Sequence, residues 1–140
     1  MDAQQIVDIA RSYIGTRWKH RGRSKLGVDC AGLIVCVGKD AGVTDTSRKP
    51  LYPPRPDESH LEQFEESLDR VPVNESRPGD IAIIAWQGYP CHAGILAIDK
   101  DGNMTVIHAH APARQVIEEP LAGLQYKQAQ HVKTFRYRRD

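Results

Sequence analysis

Helical spacing of apolar residues is confined to the first half of the chain, and β-rich runs fill the second half from residue 78 onward. Ile6, Ile9, Ala10, Tyr13 and Ile14 follow i, i+3, i+4, i+7, i+8, which predicts an amphipathic helix over residues 3–14, stopped by Gly15. Asp29 opens a second helix that is apolar nearly all round, as a buried helix is, and Gly42 can end it. Leu61, Phe64 and Leu68 mark a third, surface-lying helix capped by Asp57 or Ser59. Residues 16–28 read as a basic, Gly-interrupted loop, and residues 43–57, with Pro50, Pro53, Pro54 and Pro56, as an irregular crossing. After a turn at Arg77–Asp80, short strands are expected within Ile81–Trp86, His92–Asp99, Asn103–Ala111, Gln115–Leu121 and His131–Arg138. Asp101-Gly102 reads as a type I′ hairpin turn. Helices first and a meander afterwards exclude an alternating β/α sheet. The expected class is α+β with a central antiparallel sheet.

Length and composition narrow the function classes. The 140 residues suit one domain, residues 1–140. Lys plus Arg is 19 and Asp plus Glu is 18, a net charge of +1, so no bulk nucleic-acid affinity is expected. The longest apolar run, Ile81–Trp86, has six residues, too few for a membrane helix, so no membrane partner is expected. The N-terminal residues carry Asp2 and Asp8 and no apolar stretch, which points to synthesis in the cytoplasm without a secretory signal. Cys30, Cys36 and Cys91 are odd in number and form no C-x-x-C pair, which argues against a disulfide framework.

Cys30 is the leading chemical candidate. It follows the helix-capping Asp29, and the N–H groups of a helix N-terminus favour a thiolate. The small Ala31 and Gly32 would let another chain approach the sulfur. The alternative is that Cys30 is a small hydrophobe in the core. A nucleophilic Cys needs a base, and the base needs an orienting group. His92 opens a strand containing Gly94, and His108 lies in the next strand, so the two can sit side by side on one face. Either could instead be an ordinary, partly buried His. Of His108 and His110, which share a face, His108 is the more interior. A zinc site would have to use neighbours such as Cys91 and His92, which point to opposite sides of a regular strand; no metal is expected. Arg17, Lys19, His20, Arg21, Arg23 and Lys25 crowd the loop before Cys30, either as a solvated loop or as a carboxylate-binding rim. Arg136, Arg138 and Arg139 read as solubilising charges.

These residues resemble the NlpC/P60 family of cysteine peptidases. Asp29-Cys30-Ala31-Gly32-Leu33 is similar to the family's D-C-S-G-L motif, with Ala31 in the serine's place. The stretch from Ala10 to Gly22 resembles the family's upstream Y-L-G-T-P-Y pattern, with Trp18 in the position of a tyrosine that often lies near the oxyanion. Pro78-Gly79-Asp80-Ile81, His92-Ala93-Gly94-Ile95 and Ile107-His108-Ala109 resemble its P-G-D-L, H-V-G-I and I-H-A segments. The resemblance implies a papain-like fold, with the nucleophile helix packed on the sheet. It implies Cys30 as nucleophile, His92 as general base, and His108 as orienter. The oxyanion would meet the Cys30 N–H and Trp18; separately, on the rim reading of the basic loop, Arg21 and Arg23 would face a substrate carboxylate. The implied substrate is a peptidoglycan stem peptide, cut between D-γ-glutamyl and a diamino acid, and no cofactor is implied. Gly15-Thr16, Trp18, His20 and Gly22-Arg23, with Tyr52–Pro56, are similar to a phage or prophage tail-associated branch. That branch would work among other tail proteins and act at the host wall. A tail-assembly protein with an inactive site, and a cysteine amidase or acyltransferase, are the competing expectations.

Overall fold

The computed structural model describes residues 2–42, 65, 68–86, 89–127 and 129–138. The expected third helix and the Tyr52–Pro56 segment lie outside them, apart from the exposed Glu65 and Leu68, which is buried in the core.

Helix α1 (Ala3–Arg11) begins with a capping box. The Asp2 carboxylate accepts from the Gln5 N–H at 2.8 Å, and the Gln5 side chain accepts from the Asp2 N–H at 2.9 Å. Ile6, Val7 and Ala10 are its buried residues. The helix ends three residues before the expected Ile14, which is exposed, while Tyr13 is buried from the following turn. The turn closes at Gly15, whose φ of +90° suits glycine. The chain then runs as an extended segment along the edge of the main sheet.

Two short strands, β1 (Arg23–Ser24) and β2 (Gly27–Val28), pair antiparallel inside what reads from sequence as a plain loop. Helix α2 (Cys30–Asp40) follows, as expected, and Gly42 stands just past it with φ +75°. The main sheet contains β3 (Asp69–Val71), β4 (Ile81–Trp86), β5 (Tyr89–Ile98), β6 (Met104–His110), β7 (Gln115–Pro120) and β8 (Ala129–Arg136). Its order is β3-β8-β4-β5-β6-β7, and every pair is antiparallel. The expected α+β class with helices on a central antiparallel sheet is therefore observed. Strand β3 is an addition to the expected set, too short to carry a period-two signal.

The hairpin between β5 and β6 is not of type I′. Among its residues only Gly102 has positive φ, whereas a type I′ turn needs it at both central positions. The Asp99 N–H donates to Asn103 O at 2.9 Å, and the Asp99 carboxylate accepts from the N–H groups of Asp101 and Asn103. This is a three-residue loop held by an Asx-type cap.

Ile6, Val7, Leu33, Ile34 and Val37 of the helices pack with Ile81, Ile83, Ile95, Ile107 and Phe135 into the main core. A smaller cluster of Ile84, Val106, Leu124 and Ala129 forms around the alternate strand positions. A 3-10 segment, Leu121–Lys127, supplies Leu124.

Arg136 is not a solubilising charge. Its guanidinium forks onto Asp80, Nε to Oδ1 at 2.7 Å and Nη2 to Oδ2 at 2.9 Å. Asp80 is 1% exposed and also accepts from the Arg77 N–H, so the pair welds the turn before β4 to the end of β8. Arg138, by contrast, meets Asp69 at 3.2 Å with both side chains exposed. Replacing Arg136 by Leu strands a buried carboxylate, and urea unfolding should show a loss of about 2–4 kcal/mol. Arg138→Ala should cost less than ~1 kcal/mol. Equal losses would show that the Asp80 pair is no more than a surface contact.

Candidate active site

Asp29 and Cys30 occupy the boundary between the basic loop and α2. Asp29 has extended backbone, as an N-cap requires, and its Oδ1 accepts from the Gly32 N–H at 2.8 Å. Its Oδ2 accepts from the Arg21 N–H at 2.8 Å, so one carboxylate ties the loop to the helix start. Gly32 has no room for a side chain: a Cβ there would lie 1.9 Å from Gly22 O. The space that the small Gly32 leaves is filled by the loop at Gly22. Ala31 is buried, and the chain that approaches Gly32 is the protein's own loop.

The Cys30 side chain is half-buried. It shares a helical stripe with the core residues Leu33, Ile34 and Val37, at i+3, i+4 and i+7. Helix α2 packs on β5 and β6, the two strands that carry His92 and His108. Cys36 is free and buried beside Tyr13, and burial raises its thiol pKa. The Cys91 side chain lies outside the described residues.

Gly94 allows β6 to approach β5, since a Cβ there would lie 2.5 Å from Val106 Cγ2 and 2.9 Å from Ile107 O. His92 Nε2 and His108 Nδ1 are 2.6 Å apart, with the rings edge to face at 4.9 Å. The expected side-by-side placement of these two residues is thus observed. His110 neighbours His108 at 5.1 Å between ring centres, and its Nδ1 accepts from the Ala113 N–H at 3.2 Å, closing the turn after β6. Strand β5 is irregular at this end. Ala85 pairs with Pro90 and Ile84 with His92, leaving Cys91 as the extra residue of a bulge. The opposite-face argument against a Cys91–His92 metal pair therefore does not hold. Among the described residues, no three His, Cys, Asp or Glu side chains are grouped to hold a metal ion.

One member of the cluster has no counterpart in the sequence reading. Glu119 of β7 places Oε2 2.6 Å from His108 Nε2. Its available signal was position: a polar residue in the strand after His108, at even spacing from Ile117, which is opposite His108. His108 is fully buried, and Glu119 is mostly so. Burial, followed by the nearby His108 and His110, pushes the His92 pKa down to about 3.

The loop residues are distributed around the helix start. Trp18 is half-buried against the main core and stacks near His20, with ring centres 6.5 Å apart. Its backbone N–H donates to Arg114 O at 2.9 Å. Arg21 and Arg23 have exposed side chains, and Arg21 adopts φ +63°. Lys25 is engaged elsewhere: its Nζ donates to Ser12 O at 2.8 Å and lies 4.0 Å from the centre of the Tyr13 ring.

A capped helix led by Cys, packed on an antiparallel sheet with a hydrogen-bonded His pair, defines a papain-like α+β protein. The chain belongs to the NlpC/P60 family, whose profile matches residues 15–135. The fold is similar to the NlpC/P60 domain of the peptidoglycan hydrolase SagA, at 21% identity and a TM-score of 0.66, over 96% of this chain and 98% of that one. It is also similar to an NlpC/P60 family protein from Bacillus cereus, at 20% identity and a TM-score of 0.71, over 98% of this chain but 40% of that one. An N-acetylmuramoyl-L-alanine amidase from Bacteroides uniformis shares the fold at 12% identity, with a TM-score of 0.60 over 98% and 99% of the two chains. No match is found among curated proteins.

The depressed His92 pKa sets a sign for acid stability. Between its ordinary value of 6.5 and about 3, the unfolded chain binds a proton that the folded protein excludes. Folding stability should therefore fall as pH drops through this window, with His92 contributing at most ~1.4 kcal/mol per pH unit. Denaturant unfolding at several pH values should give a shallower slope for His92→Gln. An unchanged slope would refute the shift.

Proposed function

We propose that the protein is a cysteine endopeptidase that hydrolyses an amide bond in peptidoglycan stem peptides. The observation that carries this reading is the 2.6 Å His92–His108 contact on the strands against which the Cys30 helix packs. Family membership and the likeness to a peptidoglycan hydrolase domain support it. In this reading His92 takes the proton of Cys30, and Sγ attacks the scissile carbonyl carbon. The resulting oxyanion is held by the Cys30 backbone N–H, with Trp18 beside it. As the C–N bond breaks, His92 returns the proton to the leaving amine. Water, activated by the same imidazole, then adds to the thioester, releasing the carboxylic acid and restoring the thiol. His108 holds the His92 ring in register. Arg21 and Arg23 face a substrate carboxylate from the loop that Asp29 ties to the helix start.

The bond proposed is the one between D-γ-glutamyl and the diamino acid. The fold of the Bacteroides uniformis amidase raises cleavage of the muramoyl–alanine amide as the second reading. The tail-associated setting rests on the sequence pattern around Trp18 and His20. Digestion of defined muropeptides, read by mass, distinguishes the two bonds, and no cleavage at all overturns both.

Two measurements test the residues. Iodoacetamide near neutral pH should label Cys30 faster than Cys36, which is buried with a raised pKa, and peptide mapping reads each site. Comparable rates at the two would remove Cys30 as the activated nucleophile. Arg21→Ala or Arg23→Ala should weaken binding of a free-carboxylate muropeptide by ~1.5–3 kcal/mol, and less when that carboxylate is amidated. An unchanged preference between the two substrates would mark the loop as solvated only.

A further inference from the structure

The His92–His108 pair does not end at His108. Each imidazole has two ring nitrogens, and the neutral ring carries a proton on only one of them. Which nitrogen of His92 is protonated decides whether it can accept a proton from Cys30. A base must offer a lone pair toward its donor, and the nitrogen facing away must carry the hydrogen. His92 uses Nε2 toward His108, so the base needs its hydrogen on Nε2 and its lone pair on Nδ1.

His108 receives that Nε2–H on its own Nδ1, which must then be unprotonated. Nothing in the two rings enforces this choice: the hydrogen could equally sit on His108 Nδ1 and point at His92. The tie is broken on the far side of His108. Its Nε2 lies 2.6 Å from Glu119 Oε2, and an ionised carboxylate has no hydrogen to give. With Glu119 ionised and His108 neutral, His108 donates from Nε2, which frees Nδ1 to accept.

We propose that Glu119 is a positioning residue that sets the tautomer of His92 through His108. This rests on the reading of Cys30 and His92 as nucleophile and base, although the tautomer chain itself is measurable without any substrate. The strand geometry is suited to the task. Glu119 is paired with Val106 and Ile117 with His108, so the carboxylate sits one diagonal step from the imidazole on the same pleat face. The adjacent Glu118 turns to the other face. There it accepts from Arg11 Nε at 2.9 Å and from the Thr105 hydroxyl at 2.7 Å. Two consecutive glutamates thus divide the work, one anchoring α1 to the sheet and the other addressing the histidine relay. His108 is fully buried, so a reversed hydrogen cannot easily be compensated by solvent.

The test uses the full chain labelled with 15N at its histidines. Two-dimensional NMR correlates each ring nitrogen with the carbon-bound ring protons and reports the tautomer directly. Wild type should show His108 and His92 both protonated on Nε2. In Glu119→Gln the amide can accept from or donate to His108 Nε2, so both rings should become tautomer mixtures. In Glu119→Ala the preference should be lost. On a cleaved muropeptide, kcat should fall on the order of 10- to 100-fold with KM unchanged, and Glu119→Asp should recover part of it. Glu118→Gln should lower thermal stability and leave the tautomers alone. The proposal is overturned if wild-type His108 carries its proton on Nδ1, or if Glu119→Gln and Glu119→Ala leave both rings as in wild type. Loss of the peptidase reading would appear differently, as a Cys30→Ala variant that still cleaves, while the tautomer spectra stand on their own.

Discussion

The two oxygens of the Asp29 carboxylate hold the region around Cys30. One caps α2 at the Gly32 N–H, and the other takes the Arg21 N–H of the preceding loop. Asp29 is buried, and a buried carboxylate is costly unless its lone pairs are used. Here two backbone donors and the positive end of the helix dipole offset that cost. The consequence is geometric. The helix must begin at Cys30, and the loop must cross close enough for Gly22 to touch Gly32. Remove the carboxylate and both the position of the thiol and the course of the basic loop lose their common anchor.

The sheet supplies the second constraint. Antiparallel alternation sends Ile107 to the main core and His108 to the neighbouring face, where it meets His92 and Glu119. Such a row of buried and half-buried polar groups is stable only if each satisfies another. The approach of β6 to β5 across Gly94 and the diagonal reach of Glu119 provide the contacts. The same strand β7 uses Glu118 to fasten Arg11, so α1 and the histidine row are registered against one another through adjacent residues. The extended chain after Gly15 runs along β7, with its N–H meeting Val116 O at 2.9 Å, and so covers that edge of the sheet.

Local signals were legible in the sequence because they depend on near neighbours. Helical spacing around Ile6 and the all-round apolar run after Cys30 produced helices where they were expected. Five β-rich runs produced β4 to β8. The helix start at Cys30 could be read because an N-cap acts within three residues. The end of α1 is not marked by apolar spacing, since Tyr13 continues the apolar period from the turn that follows the helix. The Asp101-Gly102 pair does not by itself set the turn type, since the choice of loop rests on the Asp99 cap as much as on Gly102.

What the sequence by itself determined is the class of the fold, the family, and the pairing of His92 with His108. All three follow from local periodicity, turn residues and motif order. The tertiary structure alone decided the Asp80–Arg136 weld, the tie from Asp29 to Arg21, the bulge at Cys91 and the addition of Glu119. Each of these depends on strand register or on where a loop crosses. Register is set by how whole faces pack, so a carboxylate eleven residues beyond His108 becomes its partner only once β6 and β7 are aligned.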